Sequence, residues 1–378
     1  MSEYTTVIQQ AHFFITEGRV EEALALLEKV QTSDLPQKRE LAYLRAWCYM
    51  QREQWDEAAH ILLSAGSDEH SIEDLQSFGQ TERRRRAVYL LLLGDAAVDL
   101  GWYEEATRHY AQCIRFLDER RMNVVSVRIK ARCGLGIAYT RTGFYTVALT
   151  HFEDALRLTG EDNTHPDLPQ IYAGLCDAHS HLDHFAPALD YGKRALQLAV
   201  ARADRQLELH VNSALGHICF QTRDFDSAVS YYTRALALAT SLDEPVTILT
   251  TFTSLADIYR EKGLLKDARH CCEQALAYAD RIRDQRSLGT LYIGCGKVAE
   301  AEAKQLTGEQ AEGLVQEAIL WYQKAEAAFS SIHAGAELAE VYGRLAQLLE
   351  TSGQQRQAIA YWKSAYSAYA SPEASPVL

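Results

Sequence analysis

No stretch of this 378-residue chain has the length and apolarity of a bilayer-spanning helix. The longest uninterrupted apolar run, Ala87 to Leu93, falls far short of the roughly 20 residues such a helix needs. The opening residues, MSEYTTVIQQAHFF, have neither the basic start nor the continuous apolar core of a secretory leader, so none is expected. The eight cysteines (Cys48, Cys113, Cys133, Cys176, Cys219, Cys271, Cys272 and Cys295) show no disulfide-framework spacing. Several fall where a small apolar side chain is wanted, and they read as reduced packing residues of a cytoplasmic protein. Cys271 and Cys272 are adjacent in a helix, where thiols diverge, and no CxxC spacing accompanies them. Catalytic signatures are missing too: there is no P-loop, no GxGxxG following a strand, no GxSxG and no HExxH. Neither enzymatic activity nor a cofactor is expected.

What is present suits a soluble helical chain. The hydrophobic fraction is 47%, with 20 tyrosines, while 24% charged residues keep the outside wet. The formal net charge of −13 disfavours nucleic acid and anionic membrane as partners, because the field repels phosphate. A single core would be unusually large for this length, so several domains or a solenoid are expected.

The chain is organised around Leu135 to Ala155, LGIAYTRTGFYTVALTHFEDA, which reads as two short amphipathic helices joined at Gly143. Gly136 and Ala148 are small where helices must touch. Tyr139, Tyr145 and Phe152 are large where space must be filled. Eight more copies align on the place of Ala148: Ala23, Ala58, Ala106, Ala188, Ala228, Ala268, Ala318 and Ala358. Ala148, Ala188, Ala228 and Ala268 are 40 residues apart. The surplus between Ala58 and Ala106 falls in a polar insertion at 64–83. Repeat eight is longer, and its first helix is expected to run on to a break near Gly308 or Gly313. Pro166, Pro169 and Pro245 mark helix boundaries.

Small, x, x, aromatic, turn Gly, then aromatic, x, x, Ala, x, x, x, aromatic, x, x, Ala resembles the tetratricopeptide repeat. In repeat four the pattern is Gly136, Tyr139, Gly143, Tyr145, Ala148, Phe152 and Ala155. The 40-residue unit exceeds the usual 34. It is similar to those of Pins-type adaptors, kinesin light chains, Rap-type peptide receptors and MalT-type sensor domains. The resemblance implies an all-α, right-handed superhelical solenoid of about nine hairpins. Repeats are expected at 5–38, 40–66, 84–121, 126–163, 167–204, 206–243, 246–283, 287–333 and 336–370, with a flexible tail at 371–378. They form a single domain, in which small residues at helix crossings let axes approach within about 8 to 10 Å.

The resemblance also implies a concave face lined by first helices. Transferred place by place, that face presents Trp47, Met50 and Gln51; Asp95 and Asp99; Lys130, Cys133, Ile137, Thr140 and Arg141; and Gln170, Asp177, Ser180 and His181. Further along it presents His210, Ser213, His217, Phe220 and Gln221, then Thr253, Asp257, Arg260 and Glu261. Lys130, Arg141 and Arg260, the histidines and Phe220 suit a protein or peptide with acidic and apolar side chains. The carboxylate clamp of chaperone-type relatives is not expected, since Ile137 and Asp177 stand where asparagines are needed.

Three clusters carry blander readings. Arg83 to Arg86, with Arg120, Arg121, Arg128, Lys130 and Arg132, read as a solvated or ion-paired face. Cys176, His179, His181, Asp183 and His184 include metal-like spacings, but Cys176 and His179 hold packing positions, and no metal is expected. Trp321, Tyr322, Trp362, Tyr366 and Tyr369 fit the last hairpins' core, or an adhesive C-terminal end for self-association. Some Rap-type receptors promote phosphoryl loss from a response regulator through a separate helical bundle. This chain enters repeats by Ala11, so that activity is not expected. The leading reading is a non-catalytic binding scaffold or adaptor. Alternatives are a ligand-responsive regulatory sensor acting on a partner protein, and a self-assembling structural subunit.

Overall fold

Apolar side chains recurring every three to four residues fold the chain into paired helices. The computed structural model describes residues 3–30, 32, 34–52, 54–64, 82–120, 122, 124–160 and 164–370. Among them are eighteen α-helices and no strand. The expected insertion at 64–83, apart from its outermost residues, and the tail at 371–378 lie outside the described residues.

Two compact units divide the chain, Met1–Ala195 and Leu196–Leu378. The first holds α1 (Glu3–Thr16), α2 (Val20–Leu27), α3 (Leu35–Gln51), α4 (Trp55–Ser64), α5 (Glu82–Asp99), α6 (Tyr103–Glu119), α7 (Val125–Arg141), α8 (Tyr145–Thr159) and α9 (Leu168–His181). Most of α10 (Phe185–Ala201) belongs there as well. The second holds α11 (Arg205–Gln221), α12 (Phe225–Ser241), α13 (Pro245–Glu261), α14 (Leu265–Leu276), α15 (Gln285–Ala303), α16 (Glu309–Ser331), α17 (Gly335–Thr351) and α18 (Gln355–Ala370). Odd-numbered helices are the first members of hairpins and even-numbered ones the second. Pro169 and Pro245 sit in the first turns of α9 and α13, where no intrahelical N–H is lost.

The repeat is written in the backbone as well as the side chains. Gly143, Asp183, Arg223 and Gly263, each 40 residues from the next, all have positive φ (85°, 58°, 61° and 74°). At each turn the following N–H reaches back to close the helix, as in Phe144 N to Tyr139 O at 2.9 Å and Asp224 N to Cys219 O at 2.8 Å. Two of the four turns therefore hold a left-handed residue that bears a Cβ, at a cost of about 1 kcal/mol each. Arg223→Gly is expected to stabilise the second unit by up to about 0.5 kcal/mol after the glycine's extra unfolded-state entropy is subtracted. The exposed Arg223–Glu261 pair it removes, at 3.6 Å, contributes little. A rise in the urea midpoint at unchanged slope checks this.

Inside the first unit aromatic rings from second helices are held between glycines, and in the second unit Tyr232, Tyr322 and Phe329 each pack on a single glycine. Phe152 of α8 is 1% exposed and packs against Gly136 of its own hairpin and Gly174 of the next. Tyr110 of α6 lies in the same way between Gly94 and Gly134. Gly174, 40 residues after Gly134, closes over the Phe152 ring as Gly134 closes over that of Tyr110, a role the alignment did not single out.

Repeat eight differs from expectation. Its first helix, α15, stops at Ala303, and the chain turns at Gly308 with φ 66°. The extra length lies in the second helix, α16, of 23 residues, because Gly308 supplies the left-handed stop before it. Arg269 of α14 forks between Glu302 and Glu317 and ties this longer hairpin to the one before it. All eight cysteines are free and buried. Burial pushes the Cys48, Cys113 and Cys271 thiols up to about 12, as suits packing residues. No described helix is long and apolar enough to cross a membrane.

Candidate functional site: the shared face of the first helices

Helix geometry puts residues i, i+7, i+10 and i+11 on one face. The 40-residue period repeats that face in four successive first helices. Lys130, Ile137, Thr140 and Arg141 mark it on α7, and Asp177, Ser180 and His181 on α9. In the second unit it carries His210, His217, Phe220 and Gln221 on α11, and Asp257, Arg260 and Glu261 on α13. Asp95, Arg141, His181, His210 and His217 are exposed, whereas Trp47, Lys130, Asp177, Phe220, Asp257 and Arg260 are half-buried.

Three members of the expected groove are interior. Met50, Cys133 and Thr253 are 6%, 7% and 5% exposed. Neighbouring helices press on these positions: Cys133 joins the core around Phe152, and Thr253 lies where Gly294 of α15 approaches. The Thr253 hydroxyl is spent within its helix, donating to Leu249 O at 2.9 Å. Trp47 is turned toward the interior, its ring meeting His109 at 5.4 Å and Tyr43 at 5.8 Å.

The three expected cations differ in their local surroundings. Arg260 is held by Asp257 at 3.2 Å and Glu261 at 2.9 Å, so its charge is compensated within α13. Lys130 and Arg141 lie in the other unit. Arg141 is exposed and forms no ion pair among the described residues. Arg128 and Arg132 of the basic cluster pair with Asp118 at 2.5 Å and Asp154 at 3.3 Å, while the Arg83 to Arg86 side chains lie outside the described set. His181 stacks on Tyr145 with centroids 4.3 Å apart. His179 instead meets His184, Nδ1 to Nδ1, at 3.4 Å, and burial followed by that neighbouring ring holds it below the ordinary histidine value. Among the described residues no three His, Cys, Asp or Glu side chains gather as a metal site.

Asp95 has a role that sequence reading missed. It accepts a 2.6 Å hydrogen bond from the Tyr110 hydroxyl, whose ring is buried between glycines. The equivalent pair one repeat on is Phe152 with Ile137. A buried tyrosine hydroxyl in the ring slot needs a polar partner, and a phenylalanine does not. Tyr322 repeats the solution with Glu300. The signal was available as the paired change from Tyr and Asp to Phe and Ile. At the C-terminal end Tyr322 is fully buried and Trp321 stacks on Tyr292, whereas Trp362 and Tyr366 are 46% and 77% exposed. The Tyr369 side chain lies outside the described set.

Helix pairs at a fixed period, ring-in-glycine packing and a recurrent first-helix face define a helical-repeat scaffold. Sequence models of the tetratricopeptide repeat match residues 14–77, 87–116, 128–201 and 207–281, together well over half of the chain. The chain belongs to the tetratricopeptide-repeat family. It is 27% identical over 129 residues to the 43 kDa receptor-associated protein of the synapse from Tetronarce californica, covering 33% of this chain and 31% of that protein. The chain thus spans less than a third of that relative's length. Among solved structures it is similar to the apo form of the quorum sensor NprR from B. thuringiensis, with a TM-score of 0.60 at 12% identity over 96% of this chain and 98% of that one. A Rap protein complexed with competence and sporulation factor gives 0.51 at 14% identity over 94% and 99%. At these identities the likeness is one of fold.

Proposed function

We propose that this protein is a non-catalytic adaptor that holds a protein or peptide segment on the shared face of its first helices. The observation that carries the reading is the exposure of His210 and His217, with Phe220 beside them, along one face of α11. Polar and aromatic side chains at that spacing suit an extended segment with acidic and apolar groups. A Rap protein of similar fold is seen with a bound factor, which supports the same use here. The free, buried cysteines favour a cytoplasmic setting.

Panning a displayed peptide library on the full chain and on His210→Asp/His217→Asp/Phe220→Ser tests the reading. Peptides selected on the wild type should lose at least about tenfold in affinity on a variant of unchanged helicity, about 1.4 kcal/mol. Equal binding to both would sink it. The exposed Trp362 and Tyr366 favour a second reading, self-association through the C-terminal hairpin. A wild-type mass that rises with concentration, and does not rise for Trp362→Ser/Tyr366→Ser, would support that reading.

A further inference from the structure

Tyr4, Ile8 and His12 recur every four residues along α1, and with Gln9, Glu40 of α3 and Trp102 they line a pocket of about 320 Å3 inside the first unit. That volume falls in the range of small-ligand sites. Three of its lining side chains carry rings, Tyr4, His12 and Trp102, with the Trp102 ring set edge-on to His12 at 5.6 Å and 89°. Glu40 is the one carboxylate in the lining, which contains neither lysine nor arginine.

Tyr4 donates its hydroxyl to Glu40 Oε2 at 2.8 Å, which orients the carboxylate without neutralising it. Behind the His12 ring, Glu105 lies 3.6 Å from Nε2 and is itself 16% exposed. Arg108 also pairs with Glu105, at 3.6 Å, and is 58% exposed. The pocket therefore combines aromatic side chains with an oriented carboxylate that has neither lysine nor arginine beside it in the lining.

We propose that this pocket binds a small organic cation carrying an alkylated ammonium head group. Aromatic faces attract a cation through the ring quadrupole, most strongly where water is displaced. Glu40 supplies the counter-charge. A neutral hydrocarbon of the same shape would fill the space while stripping water from a carboxylate it does not pair, and an anion would be repelled. The site does not depend on the first-helix peptide face, and it stands or falls separately from that reading.

Choline, titrated into the full chain by calorimetry beside its uncharged isostere 3,3-dimethylbutan-1-ol, tests the proposal. Saturable choline binding is expected, at least tenfold tighter than the isostere, and weakened at least tenfold by Glu40→Gln, whose amide still accepts the Tyr4 hydroxyl. A trimethyllysine peptide in a parallel arm separates a free small quaternary ammonium from an alkylated side chain as the source of the head group. Absence of saturation by either cation up to about 10 mM would overturn the proposal, as would equal binding of the charged and uncharged probes. Undiminished choline binding by a folded Glu40→Gln variant would overturn it as well. The isostere comparison needs no variant, so it decides the matter should Glu40→Gln misfold.

Discussion

Truncating Phe152 to alanine is expected to lower the stability of the first unit by about 3–5 kcal/mol, the largest loss foreseen for any single side chain here. The ring is 1% exposed and is gripped from both sides, by Gly136 in its own hairpin and Gly174 in the next. Its removal leaves a cavity walled in part by backbone at Gly136 and Gly174, and helix backbones cannot collapse inward as side chains do. The converse change makes the same point by overpacking. A Cβ added at Gly174 would overlap the Phe152 ring, and one at Gly136 would sit 2.6 Å from it. Gly174→Ala should therefore cost about 1–3 kcal/mol in the wild type. Much less should be lost in a Phe152→Leu background, where the clash is relieved. Urea midpoints of the two singles and the double give the coupling. Additive losses would show that the ring and the glycines do not form one packing unit. Because neighbouring repeats can unfold separately, amide exchange in α7 to α9 should report the loss directly, with little change in α15 to α18.

Much of this arrangement was legible in the sequence, and the limits of that legibility have physical causes. The alanine register and Gly143 gave the hairpins, because helix contact and a left-handed turn each restrict residue choice severely. The turns at Asp183 and Arg223 were harder to see, since a Cβ there costs only about 1 kcal/mol and the rest of the hairpin over-determines the conformation. Gly174 escaped because the alignment followed contacts within a hairpin, and its partner Phe152 belongs to the hairpin before. The first-helix face was legible as a face but not as chemistry. Its position follows from periodicity, whereas the pairing of Arg260 with Asp257 and Glu261 depends on rotamers that spacing alone does not dictate. Asp95 looked like an outward ligand for the same reason. The residue that claims it, Tyr110, lies on another helix and reaches it only once the ring is in place.

His109 was not singled out by any pattern, yet it should govern the acid limb of stability. It is 4% exposed, its Nε2 is 2.9 Å from the Tyr43 hydroxyl, and its Nδ1 has no hydrogen-bond partner among the described residues. Burial, reinforced by the neighbouring Arg108, pushes it down to about 4 from an ordinary 6.5. Nearby Glu105 is already shared by His12 and Arg108, each at 3.6 Å. Between those two pH values the unfolded chain takes up a proton that the folded chain refuses. The unfolded state binds more protons in that window, so stability rises with pH there and falls as the solution is acidified. The contribution is absent above about pH 6.5, grows to about 3 kcal/mol near pH 4, and levels off below. His109→Gln removes the titrating group while keeping a polar side chain within reach of Tyr43. His151 and His179 are also held low, but they titrate alike in both proteins and cancel in the comparison. Between about pH 7.5 and about pH 4.5 the wild type should lose roughly 2–3 kcal/mol more than His109→Gln in urea titrations. Equal losses would mean that His109 already meets solvent or a carboxylate in the folded protein, and the aromatic interior formed by Tyr43, Trp47, Trp102 and His109 would then have to be more open than its packing implies.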